Sequence, residues 1–123
     1  MNALLNLGKY IWGIAFLGFA FAHFMGASKM AGAVPIPGGE FWVYLTGVCY
    51  LLAAISIFIG KYDKLANFLL GLLLLIIAFS MHLPGLMGGD QSEMPNFLKA
   101  LAMGGVAWSY ARYAAADPTG LGA

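Results

Sequence analysis

Two histidines, His23 in "FAHFMG" and His82 in "SMHLPGLMGGD", are the residues of this sequence best suited to ligand chemistry. An imidazole can donate or accept a hydrogen bond, exchange a proton, or bind a metal. Each histidine follows a run of uncharged, mostly apolar residues and precedes a Gly- or Pro-rich stretch. Thr46, Trp42 and Glu40 cluster at the start of another apolar run and are the candidate neighbours. The pair admits three readings. Two neutral imidazoles could bond to backbone carbonyls or water and do nothing more. They could line a pocket for a quinone or similar lipid-soluble molecule, an imidazole N–H meeting a quinone carbonyl while apolar side chains hold the ring. They could ligate haem, or copper together with Met25, Met30, Met81, Met87 and Met94, since thioethers suit Cu(I). No CxxCH or HxxxH motif, and no carboxylate at ligand spacing from a histidine, supports a metal.

What must position these residues is a set of apolar helices. The chain has 123 residues, of which 62% are hydrophobic and 9% charged. A soluble domain carries about 25% charged residues. A net charge of +1 gives no sign of nucleic-acid binding. The single cysteine, Cys49, excludes a disulfide within the chain and is expected as a small buried side chain.

Charges delimit the spans: Lys9 and Lys29 bracket 10–28, Glu40 and Lys61 bracket 41–60, and Lys64 and Asp90 bracket 65–89. A bilayer core takes about 20 apolar residues as a helix. A fourth stretch around "NFLKALAMGGVAWSYARYAA" contains Lys99 and Arg112, near enough to its ends to snorkel. The expectation is an all-α protein, a single domain over 1–123. Its four transmembrane helices, at about 7–26, 41–60, 65–83 and 95–115, should form an antiparallel bundle. The first is expected to be retained, since no small-x-small cleavage site follows it.

Lys9, Lys61, Lys64 and Arg112 fall at one end of such a bundle, against Lys29 and Lys99 at the other. Both termini are therefore expected in the cytoplasm. Small and polar residues recur along each span: Lys9, Gly13, Phe16, Ala20 and His23; Thr46, Cys49, Ala53, Ser56 and Gly60; Asn67, Gly71, Leu75, Ala78 and His82; Leu98, Ala102, Gly105, Ser109 and Arg112. Such stripes favour close helix packing in lipid. Facing inward, they would bring His23, His82 and Thr46 together under the long loops 26–39 and 84–94. Lys9 and Arg112, joined by Asn67, would meet at the other end, more simply as a solvated or headgroup-bound pair. No intramembrane carboxylate marks a permease path.

"AHF", then "PIPGGEFWVYLTGVCYLLAAISIFIGKYDKLANFLL", then "MHLPGLM" resembles the DoxX-like family of small four-helix membrane proteins. The resemblance implies a bacterial or archaeal inner-membrane bundle. Some relatives are subunits of a thiosulfate:quinone oxidoreductase, and others associate with redox or oxidative-stress complexes. Many carry a glutamate where this chain has Tyr50, so a role for that acid does not carry over. The function expected is an accessory, non-catalytic subunit of a quinone-linked membrane redox system, with a ligand near His23, His82, Thr46, Trp42 and Glu40. The alternative is a structural or assembly protein without a ligand, within a homo-oligomer or larger complex.

Overall fold

The computed structural model describes residues 1–120 and is all-α, with no strand among the described residues. Four long helices carry the architecture: α1 (Gly8–Met25), α2 (Glu40–Ile59), α3 (Asp63–Ile77) and α4 (Glu93–Ser109). Three helical segments, Asn2–Met25, Glu40–Ile59 and Asp63–Met87, are long and apolar enough to cross a membrane. At 1.5 Å per residue, the 20 residues of α2 reach about 30 Å, the thickness of a hydrocarbon core. The segment containing α4 carries Glu93, Lys99 and Arg112 and is not among the three.

Glycines set how closely the helices approach. A Cβ on Gly13 would lie 3.1 Å from the Phe58 ring, and one on Gly47 would lie 3.1 Å from the His23 Cβ, so α1 lies tightly on α2. Between α3 and α4 the same close fit recurs, a Cβ on Gly104 lying 3.1 Å from Leu75. The two pairs meet around Phe16, Ala20, Tyr50, Ala53, Ala54, Leu70, Leu74 and Ala107.

Gly60 and Tyr62 both adopt left-handed backbone between α2 and α3, so a short turn makes these helices neighbours. This is the short-turn end of the molecule. At the opposite, loop end the chain folds through a short helix at Ala27–Met30 and a 3-10 turn at Ala31–Ala33 before α2 begins. Gly38 is required there: its φ is +111°, and an added Cβ would lie 2.8 Å from the Trp42 indole nitrogen.

Past Ile77, α3 widens into a π-helical turn at Ala78–His82 and then resumes as Leu83–Met87. Pro84 explains the widening, because its ring has no N–H and would crowd the Ser80 carbonyl four residues back. His82 ends that turn.

Two expectations about packing are corrected. The α4 stripe of Leu98, Ala102, Gly105, Ser109 and Arg112 lies on the outer surface, and Ala100, Gly104, Ala107, Tyr110 and Ala111 are buried instead. On α2, Ala53 and Ser56 are buried as expected, but Thr46 is half-buried and Cys49 is exposed. The inward face also uses Val43, Gly47, Tyr50, Ala54 and Ile57. A helix apolar on every side has only a weak polarity contrast around its axis, so small residues alone do not set its rotation.

Candidate functional site

Near the loop end, the four helices and the 26–39 loop border an open-sided cavity of about 580 Å³. Phe19 and His23 enter it from α1, and Trp42, Thr46 and Tyr50 from α2. Leu74 lines it from α3, His82 from the π-helical turn, and Lys99 and Met103 from α4. Val34, Pro35 and Ile36 form part of the wall on the loop side. Apolar surface dominates, with a few polar groups among it, which is the usual make-up of a small-molecule site.

The structure thus gathers His23, His82, Thr46 and Trp42 around one space. Glu40 is exposed at the start of α2 and does not line it. Met30 and Met81 line the cavity, whereas Met25, Met87 and Met94 are exposed. Among the described residues, no group of three or more His, Cys, Asp or Glu side chains is placed to hold a metal ion.

Each imidazole is held by its Nδ1. That of His23 donates to the Phe19 carbonyl, one helical turn back, at 2.7 Å. The ring stands edge-on to Tyr50, with centroids 5.0 Å apart. The Nδ1 of His82 lies 2.6 Å from Oε2 of Glu93, joining the end of the third helical segment to the first turn of α4. Both members are partly buried, with side chains 22% and 23% exposed, so this pair is less screened than one in open water. Thr46 donates its hydroxyl to the Trp42 carbonyl at 2.8 Å, and the Trp42 indole N–H donates to Pro37 O at 2.6 Å.

Glu93 was not among the expected site residues, and its role has no local signature. It stands 11 positions after His82, and only the loop from Gly88 to Ser92 brings the two together. Tyr50 was noted only as the place of an acid in relatives, yet it is a buried core residue that also lines the cavity.

A second polar cluster, also unforeseen, closes the short-turn end. Asp63 and Asn67 are fully buried. Asp63 accepts hydrogen bonds from the Tyr110 hydroxyl and from the backbone N–H groups of Ala116 and Asp117, at 2.8, 2.8 and 2.9 Å. Asn67 donates to the Asp63 carbonyl and accepts from the Trp12 indole, both at 2.9 Å. Asn67 therefore does not join Lys9 and Arg112, whose cations lie over the rings of Tyr10 and Tyr113. The Asp117 carboxylate in turn accepts from the Tyr62 N–H and from Thr119. The hydrogen bond from the Thr119 hydroxyl, then those from the Tyr62 and Thr119 backbone N–H groups, hold the Asp117 carboxyl below the usual carboxylate range.

No curated protein and no solved structure is similar enough to this chain to match it. The DoxX family model matches residues 4–83, from the N-terminal segment through His82 and the end of the π-helical turn, and stops before Glu93 and α4. With that match over most of its length, and with its apolar helices, this multi-pass membrane protein belongs to the DoxX family.

Proposed function

We propose that the protein binds a quinone-like, lipid-soluble ligand in the loop-end cavity and serves as an accessory subunit of a membrane redox system. In this reading α4 is a fourth transmembrane helix, with Lys99 and Arg112 snorkelling toward either surface. The chain is then a single four-helix antiparallel bundle in the cytoplasmic membrane of a bacterial or archaeal cell. The excess of basic residues at the short-turn end supports cytoplasmic termini.

The observation that carries the proposal is the cavity itself. Two imidazoles from separate helical segments, fixed by their Nδ1 atoms, border a mainly apolar space of about 580 Å³. That volume falls within the range of about 300–1,000 Å³ common for small-molecule sites. Purification in mild detergent, followed by lipid extraction and mass spectrometry, should recover a quinone-type molecule. The His23→Ala and His82→Ala proteins should lose it while remaining folded. Recovery of the same lipids from all three proteins, with no quinone in any, would overturn the proposal. The same preparations reveal partner chains.

A second reading, a structural or assembly protein without a ligand, draws on a specific observation: both histidines are bonded within the protein, to Phe19 and to Glu93. It expects His82→Ala to lower stability and oligomer yield with no change in bound small molecules.

A further inference from the structure

We infer that a second site, the groove between α2 and α3, seats one acyl chain of an anionic phospholipid, with the head group held at Lys61. The inference is independent of the loop-end cavity and needs only that α2 and α3 cross the membrane.

The groove has a volume of about 460 Å³. Small side chains give it depth: Ala53 and Ser56 from α2 and Ala66 from α3 form its floor. Leu52, Ile55, Ile59 and Leu69 stand exposed along its sides. The Ser56 hydroxyl donates to the Ala53 carbonyl at 2.7 Å, so the one hydroxyl on the floor is already spent within its helix. A space of this kind suits a hydrocarbon chain, which offers no hydrogen bond.

Its length and its charge select the occupant. From Ile59 back to Cys49, at 1.5 Å per residue, the groove reaches about 15 Å. That is about half of a hydrocarbon core of about 30 Å, the depth of one leaflet. A transmembrane helix from a second copy would run the full depth, whereas the lining ends at Cys49 and Leu73. Among the described residues, Lys61 is the only charged side chain that lines the groove, and it stands at the short-turn end with Tyr62. Lys61 forms no ion pair among the described residues. Asp117, which accepts from the Tyr62 N–H at 2.7 Å, is already bonded to Thr119 as well. Lys64, in the first turn of α3, adds a second cation at this end. Basic residues at a membrane surface attract anionic lipids, and a tyrosine suits the head-group level.

The test uses full-length protein in phosphatidylcholine nanodiscs doped with a photoreactive lipid that carries a diazirine at mid-chain. The head group is phosphatidylglycerol in one series and phosphatidylcholine in the other. After irradiation, peptide mapping should place the adducts on Leu52, Ile55 and Leu69. The exposed Ile14 of α1 and Val106 of α4 should carry few. The yield in the groove should be about fivefold higher with phosphatidylglycerol, the preference expected for one lysine at the surface. Lys61→Gln should remove that preference and Lys61→Arg should keep it; both change an exposed side chain, and thermal unfolding checks that each folds. Adducts spread evenly over all exposed faces would overturn the inference. So would equal yields for the two head groups, or a groove shielded from both lipids in a protein that native mass spectrometry finds dimeric.

Discussion

The Tyr110 hydroxyl donates a 2.8 Å hydrogen bond to Oδ2 of Asp63, tying the far end of the α4 segment to the first turn of α3 across 47 positions. Both residues are buried, Asp63 completely. Two backbone N–H groups from the chain after α4 complete the shell of the carboxylate. Replacing Asp63 by alanine would leave three donors without an acceptor and should cost about 3 kcal/mol. Tyr110→Phe removes one donor and should cost about 1 kcal/mol. Denaturant titration in detergent orders the two variants, and equal small losses would contradict the arrangement.

The same region should respond to acid. Asp117 has its carboxyl held low by hydrogen bonds from Thr119 and from the Tyr62 amide. A carboxyl whose pKa is lower folded than unfolded adds stability that is complete above the ordinary value of about 3.9. That contribution fades as pH falls through the lowered value. The protection factor of the Tyr62 amide, its exchange rate relative to the free-peptide rate at the same pH, should therefore drop below about pH 3.9, and Asp117→Asn should remove this component of the pH dependence. A protection factor that is flat across the range would argue against the contact.

Adjacent glycines in α4 should behave differently. A side chain on Gly104 would meet Leu75 at 3.1 Å, whereas one on Gly105 meets nothing within 4 Å. Gly104→Leu should separate α3 from α4 and cost about 1–3 kcal/mol, in the range of overpacked cores. Gly105→Leu should be close to neutral. Thermal unfolding of the two proteins decides which glycine faces the partner helix.

Cys49 is exposed and lines a groove of about 460 Å³ between α2 and α3. The thiol should be modified in the folded protein by a membrane-soluble maleimide, to one adduct per chain by mass spectrometry. Modification that requires unfolding would return Cys49 to the interior.

Much of the helical framework was legible in the residues. Apolar runs end at charges and at Gly- or Pro-rich loops, and the helices observed over Gly8–Met25 and Glu40–Ile59 start and stop there. The inward positions of Gly13, Phe16, Ala20, Asn67, Gly71 and Ala78 were also legible, because small or polar residues there stand among large aliphatic ones. The same rule failed for α4 and for Cys49. In α4 the small residues Ala100, Ala102, Gly104, Gly105 and Ala107 occur on several faces, so spacing alone could not select one.

Sequence by itself determined the solvent, the apolar helical runs and the two histidines, because hydropathy and charge act residue by residue along the chain. Tertiary structure decided which partners those side chains have. His82 meets Glu93, and Asp63 meets Tyr110 and the chain beyond it, through contacts between positions that share no local period. A carboxylate beside a loop reads as solvated until another helix closes over it. Burial, and with it the partner that each imidazole meets, is a property of neighbours that only the folded chain brings together.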